Sequence, residues 1–216
     1  MKQIVILLWP LLFIMNSCSK DDILVGSGRL TSEIRMVDPF NQIYSEGVFD
    51  ILISQGDVQS VEIIADDNIM HYVKTEVFDD EIKLSLKENN YRDIHVRAII
   101  TVLSLNSIKN SGVGNINVEN LNIDSGMFIL NSGTANIDIS GTSDNLSIRN
   151  EGSGDINALE FQVNESSLEI IGSGDCKVNT ANYLYVNIEG SGDVYYKGSP
   201  EIESQILGSG KIIKVN

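Results

Sequence analysis

Through the C-terminal half of the chain, apolar and polar residues alternate, and the alternation restarts at a recurring mark. The mark is a Gly-x-Gly pair or its close variant: Gly112/Gly114, Gly133/Ala135, Gly152/Gly154, Gly172/Gly174, Gly190/Gly192 and Gly208/Gly210, with steps of 21, 19, 20, 18 and 18 residues. An Asn or Asp follows each pair (Asn115, Asn136, Asp155, Asp175, Asp193) until the last, where Lys211 stands. The next residue is Ile116, Ile137, Ile156, Cys176, Val194 and Ile212 in turn, and two further on come Val118, Ile139, Ala158, Val178, Tyr196 and, breaking the pattern, Lys214. Four residues before the first Gly stand Ile108, Ile129, Ile148, Leu168 and Val186, then Ser204. Apolar residues two apart belong to strands with one face turned inward. Like residues recurring one repeat apart belong to stacked copies of one unit, each burying its apolar face on the next. The pattern predicts an all-β, single-stranded, right-handed parallel β-helix with coils of about 18–21 residues. Gly at the corner is expected to supply the positive φ of a tight bend. A β-sandwich of hairpins is the rival, but it calls for Asn-Gly or Asp-Gly turns, and the chain has neither.

One column changes character along the chain. Two residues before the first Gly come Asn110, Asn131 and Asn150, then Ile170, Ile188 and Ile206. The later Ile residues point this column inward, and a stack of Asn amides that hydrogen-bond along the axis would satisfy groups costly to bury. Three turn-favouring Asn residues beside a Gly bend are the simpler alternative. Residues 30–105 lack the Gly-x-Gly mark but carry strand-like runs at Val48–Ser54, Val61–Ala65, Glu81–Leu86 and Ile94–Val102. Asp66-Asp67-Asn68, Asp79-Asp80 and Glu88-Asn89-Asn90 break them, and residues 68–73 allow a helical turn. This half is expected to form irregular coils, continuous with the repeats, that cap their N-terminal end. At the other end Ser204, Lys211 and Lys214 bring polar groups to the last rung, as protection of a sheet edge requires.

The first residues have a different pattern. Lys2 precedes an apolar run from Ile4 to Met15, twelve residues, which suits the core of an export signal and is too short to span a bilayer. Met15-Asn16-Ser17-Cys18 resembles a bacterial lipobox, which implies cleavage after residue 17 and lipid attachment at Cys18. The following Ser19-Lys20-Asp21-Asp22 resembles the short Lys-plus-acid signal of Bacteroidota lipoproteins placed on the outer face of the outer membrane; an ordinary charged tether facing the periplasm is the alternative. The expected organisation is a signal peptide at 1–17, a flexible tether at 18–29 ending in Gly26-Ser27-Gly28, and one β-helix domain at 30–216, divided into irregular coils (30–105) and Gly-x-Gly coils (106–216).

Charge narrows the partners. The net charge is −15, and removal of the leader with Lys2 takes it to −16. Phosphate backbones need clustered Lys and Arg, so nucleic acid is not an expected partner. Cys176 occupies an Ile/Val column and reads as a small buried apolar residue. Gly-Ser-Gly-Asp turns invite a calcium reading through Asp155, Asp175 and Asp193, but calcium β-rolls repeat every nine residues, half the present step; solvated turn residues are the plainer reading. Parallel β-helices also host polysaccharide-cleaving enzymes, which need converging carboxylates or a carboxylate with a base. Basic residues are sparse in the repeat region, Arg149, Lys177, Lys197, Lys211 and Lys214 among them, and His71 and His95 lie far apart with no evident ligand set. No catalytic residue, cofactor site or metal site is assigned. Tyr183, Tyr185, Tyr195 and Tyr196 are the one aromatic cluster that could meet a sugar or a protein surface.

The run Gly47-Val48-Phe49-Asp50-Ile51-Leu52-Ile53-Ser54-Gln55-Gly56, then Val61-Glu62-Ile63 and Asp66-Asp67-Asn68-Ile69, followed by repeated Gly-Ser-Gly-Asp, resembles the head GIN domain of putative auto-transporter adhesins over about residues 35–215. The resemblance implies a secreted, often lipid-anchored β-helix acting as a surface interaction module, with no defined ligand. Ala135, in place of the second Gly, departs from the pattern. The expectation is a lipid-anchored, non-catalytic surface protein that contacts a surface protein or glycan. A carbohydrate-binding or carbohydrate-active β-helix, assisted by calcium, is the alternative.

Overall fold

The computed structural model describes residues 23–216; the signal segment, Cys18 and the first tether residues lie outside them. The strands in chain order are β1 (Leu24–Val25), β2 (Leu30–Ile34), β3 (Gln42–Ser45), β4 (Asp50–Gln55), β5 (Ser60–Asp66), β6 (Val73–Phe78), β7 (Glu81–Leu86), β8 (Tyr91–Arg92) and β9 (Val96–Val102). The repeat region contributes β10 (Ser107–Asn110), β11 (Asn115–Asn122), β12 (Gly126–Asn131), β13 (Asn136–Asn150), β14 (Ile156–Ile170), β15 (Cys176–Ile188), β16 (Val194–Lys197), β17 (Glu201–Ile206) and β18 (Ile212–Lys214). They wind into a β-solenoid of about five turns.

Each coil contributes a strand to two opposed faces. Face A stacks β7, β3, β10, β12 and the C-terminal halves of β13, β14 and β15, then β17, all parallel. Face B stacks β9, β4, β11 and the N-terminal halves of β13, β14 and β15, then β16 and β18, also parallel. The columns read from the sequence are literal neighbours: Ile116 pairs with Ile137, Ile137 with Ile156, Ile156 with Cys176, Cys176 with Val194, and Val194 with Ile212. From Ile116 to Val194 these residues are at most 1% exposed. They meet the Ile108-to-Val186 column of face A in one continuous core.

The Gly-x-Gly corner joins face A to face B, and its main physical demand is close approach. Coil backbones pass so near each other there that a Cβ built on Gly152 would lie 1.9 Å from the carbonyl oxygen of Gly133, and one on Gly172 1.9 Å from that of Gly152. Positive φ is the lesser requirement. Among the Gly-x-Gly glycines Gly114 has it (φ +106°), along with Gly47 in the equivalent bend of the preceding coil (φ +122°). The expectation that the corners demand left-handed backbone is thus corrected: glycine is there to leave room for the neighbouring carbonyl. Spare residues go to the opposite corner, where the register slips between Val118 and Leu121, Asp138 and Ser140, and Ala158 and Gln162.

The N-terminal region is interleaved, not wound in simple succession. The β3–β4 coil lies between β7/β9 on one side and β10/β11 on the other, although residues 81–102 follow it in the chain. Beyond β7 and β9 the winding stops and antiparallel strands close the end: β6 on β7, and β5 on β9 followed by β2 on β5. A two-residue bend at Asp79-Asp80, both at positive φ (48° and 62°), links β6 to β7. A 3-10 turn at Met70–Tyr72 follows Ile69, and Ile69 and Met70 are buried in the core. The Arg35 guanidinium lies over this turn, donating to the Met70 carbonyl at 3.3 Å.

The tether expectation is corrected for its last residues. Leu24–Val25 pairs in parallel with Tyr91–Arg92, and Gly26-Ser27-Gly28 is locked onto the Asp66-Asp67-Asn68 turn. Gly28 N donates to Asp66 Oδ1 at 2.7 Å, Ser27 Oγ to Asp67 Oδ1 at 2.6 Å, and Asn68 Nδ2 to the Val25 carbonyl at 2.8 Å. Arg29 adds an ion pair to Asp67 at 2.9 Å. Asp66 allows no side chain at Gly26, whose Cβ would sit 2.6 Å from Asp66 Oδ2 and 2.3 Å from the Asp93 carbonyl. Gly26 and the turn therefore fit as a clasp.

Candidate interaction groove

The residue after most of the Gly-x-Gly pairs has a structural duty. Asp155 Oδ1 accepts the backbone N–H of Asp175 at 2.9 Å, Asp175 Oδ1 that of Asp193 at 2.8 Å, and Asp193 Oδ1 that of Lys211 at 2.8 Å. Asn136 does the same for Asp155, and Asp50 for Asn115. Asp50, Asn136, Asp155, Asp175 and Asp193 thus cap the next coil's corner, which is why the position is polar and short. Asp155, Asp175 and Asp193 line up along the axis as the calcium reading requires, yet one oxygen of each is committed to this cap. Among the described residues no three His, Cys, Asp or Glu side chains converge as a metal-holding group.

Inside the same corner runs the Asn column. Asn110 Nδ2 donates to Asn131 Oδ1 at 2.9 Å, the one amide-to-amide rung of the expected ladder among the described residues. Beyond it the amides turn to the corner backbone: Asn131 Nδ2 donates to the Ala135 and Gly154 carbonyls (3.0 and 3.3 Å), Asn150 Nδ2 to those of Gly154 and Gly174 (3.0 and 3.2 Å). Asn150, whose next neighbour in the column is Ile170, has its Oδ1 buried without a partner. Cys176 lies below it, its thiol pushed up to about 12 by burial. A thiol so held is neutral and unreactive, as the apolar reading of Cys176 requires.

On the outer surface the tyrosines divide. Tyr183 and Tyr185 project from face A, whereas Tyr195 lies on face B with Lys177 Nζ 5.9 Å from its ring centre, and Tyr196 packs partly against the core. They are not a single patch. Instead, Tyr185 heads a face-A row that runs through Ser167 and Ser147 to Phe128, beside the parallel row Tyr183, Glu165, Asn145, Gly126. Small residues between aromatic ends leave a groove of about 420 Å³. Phe128 is one wall and Tyr183 with Tyr185 the other, three strand spacings away, about 14 Å. Gly126, Ser147 and Ser167 form its floor. Tyr183 donates its hydroxyl to Glu203 at 2.6 Å, a bond that raises the phenol's pKa and steadies the ring. Half-buried aromatic faces over a floor of hydroxyls, with Asn145 and Glu165 at the edge, can stack on a ring and hydrogen-bond its substituents. Sequence reasoning missed Phe128; reading the outward register 128–147–167–185 alongside the inward one would have found it.

His71 and His95 stay apart. His71 lies against the Tyr72 ring at 4.0 Å. His95 is exposed and reaches Asp66 at 3.4 Å, whose fully buried carboxylate also accepts the His95 and Gly28 backbone N–H groups. Asp66 is therefore a structural anchor for the N-terminal clasp, a role its place in a polar turn did not disclose.

The molecule is thus a two-faced parallel β-solenoid with a clasped N-terminal cap and an aromatic-walled groove on one face. The chain belongs to the family described as Putative auto-transporter adhesin, head GIN domain, which matches residues 39–200. Among solved structures it is similar to a putative adhesin from Bacteroides fragilis, with 25% identity, a TM-score of 0.75, and coverage of 89% of this chain and 100% of that one. It is also similar to a putative adhesin from Parabacteroides merdae (22% identity, TM-score 0.55, 90% and 100% covered). A Parabacteroides distasonis protein described as a putative lipid binding protein is similar too (24%, 0.51, 90% and 100%). The last two likenesses bear on fold alone. No curated protein matches the chain.

Proposed function

We propose that the protein is a lipid-anchored, non-catalytic adhesin-like module of the cell surface, which engages a surface protein or glycan through the face-A groove. The observation that carries this reading is the groove itself: Phe128, Tyr183 and Tyr185 hold half-buried aromatic faces around exposed Ser147 and Ser167. Family membership supports an adhesive role. The lipobox-like Met15-Asn16-Ser17-Cys18 supports an anchor at Cys18, and the Ser19-Lys20-Asp21-Asp22 segment supports display on the outer face of the outer membrane. The test is cross-linking and capture from intact cells displaying the protein, comparing the native chain with Phe128→Ala and Tyr185→Ala. Loss of the captured partner in both variants, with thermal unfolding unchanged, is the expected result; equal capture overturns the groove assignment. Radiolabelled fatty acid that enters the native chain but not Cys18→Ser checks the anchor separately.

A further inference from the structure

The outermost strands at the N-terminal end are β2 on face B and β6 on face A. Exposed apolar side chains gather on them and on the segment that links β2 to β3: Leu30 is 60% exposed, Ile34 74%, Met36 95% and Phe78 79%. Met36 and Val37 border one depression with Thr75 and Val77, which places the β2–β3 link against the strand that ends in Phe78. Apolar side chains so exposed, on an end already closed by its own antiparallel strands, are left over from packing the core. They mark a contact surface.

The chain's own path says what meets that surface. The clasp of residues 24–29 onto Tyr91–Arg92 and Asp66–Asn68 fixes the point where the N-terminal segment leaves the domain. From Cys18 to Leu24 is six residues, which even fully extended spans only about 20 Å. The solenoid is longer: eight strand spacings separate β6 from β17 along face A, about 38 Å. A lipid on Cys18 therefore holds the cap close to the bilayer while the β17/β18 end remains free to stand away from it.

We propose that the N-terminal cap is a membrane-resting surface, with Leu30, Ile34, Met36 and Phe78 seated in the lipid headgroup layer and the solenoid axis directed away from the bilayer. This rests on the lipid-anchor reading. Glu33, Glu76, Asp79 and Asp80 stand among these apolar groups, and the cost of desolvating carboxylates keeps the contact interfacial and shallow. The acyl chain supplies affinity; the cap supplies orientation. The groove, four to seven strand spacings above β6, is then carried about 19–34 Å clear of the membrane.

The experiment uses tryptophan emission, excited selectively over the chain's seven tyrosines. Its single tryptophan, Trp9, lies in the leader, so a mature chain from residue 18 with Met36→Trp or Phe78→Trp reports from the cap alone. Val113→Trp, at the Gly-x-Gly corner, and Leu207→Trp, at the far end, are the controls. Each protein is coupled through Cys18 to a maleimide lipid, Cys176 being buried, and added to phosphatidylcholine–phosphatidylglycerol vesicles with or without brominated chains. The expected result is a blue shift and strong bromolipid quenching for Met36→Trp and Phe78→Trp, with neither for the controls. Quenching of Val113→Trp or Leu207→Trp, or of no variant while all are vesicle-bound, overturns the proposal. So does a concentration-dependent blue shift without vesicles, which assigns the cap to a second copy of the chain. Because the lipid is attached chemically, failure of cellular lipidation sinks the anchor reading without altering this result.

Discussion

The Asn column offers a sharp quantitative test, because one stack of equivalent positions holds Asn in three coils and Ile in the next three. At Asn131 the amide accepts from Asn110 at 2.9 Å and donates to the Ala135 and Gly154 carbonyls at 3.0 and 3.3 Å, with the residue wholly buried. A buried hydrogen bond contributes about 0.5–1.5 kcal/mol net. The Gly154 carbonyl keeps a second donor in Asn150, at 3.0 Å, so its bond counts least. Asn131→Ala should thus cost about 2–3 kcal/mol. Asn131→Ile loses the same bonds but restores apolar burial of about 2 kcal/mol, in the register already filled by Ile170 and Ile188. Its net cost should be about 1 kcal/mol or less. Urea unfolding followed by circular dichroism gives both values, and an unchanged m-value shows that the same surface is exposed in each variant. If Ile proves as damaging as Ala, the column is not one shared inward register; if Ala is neutral, the amide bonds contribute nothing and the stacking argument fails.

Other outcomes follow from the same geometry. Gly172→Ala places a methyl 1.9 Å from the Gly152 carbonyl and should lower the melting temperature markedly, whereas Gly126→Ala, with 3.6 Å to its nearest neighbour, should leave it almost unchanged in the same calorimetric scan. Asp175→Ala removes the acceptor for Asp193 N–H and should cost about 1 kcal/mol, while Asp175→Asn keeps the cap and costs little; adding calcium should shift neither melting curve. The Ser27 hydroxyl, with Arg29 beside it, holds the Asp67 carboxyl below its usual pKa. Its contribution to the clasp is complete above the ordinary carboxylate value and is lost as pH falls through the lower folded value, so protection from hydrogen exchange at residues 24–29, measured against the intrinsic rate at each pH, should fall only in that acid range. Cys176 should react with iodoacetamide only on unfolding, at a rate that rises with urea, because burial holds the folded thiol's pKa up at about 12 and leaves no thiolate to attack.

The solenoid was legible because its packing repeats: Ile137, Ile156 and Cys176 share a sequence register and a spatial column. The Gly-x-Gly corners were visible for the same reason, though their cause, the neighbouring carbonyl, appears only when coils are stacked. What stayed hidden depends on single, non-repeating contacts. The burial of Asp66 beneath Gly26 and His95 links positions 40 and 29 residues apart in the chain, and no periodicity announces it. The groove falls between these cases. Its rows obey the repeat, but its character comes from where the repeat varies, with Phe128 and Tyr185 flanking two serines. The order of the first coils was unreadable for a related reason, since neither β4 nor β9 carries the Gly-x-Gly mark.

That order sets how the molecule can be assembled. β4 takes β9 and β11 as its two neighbours, and both are synthesised after it, so it must wait with its edges open while residues 56–95 are laid down. Once β11 arrives, each later coil has a finished template beneath it and needs only the twenty or so residues just before it. Shortening the chain from its C-terminus should therefore remove coils singly and spare the remainder, whereas a cut between β5 and β9 leaves the first template half built.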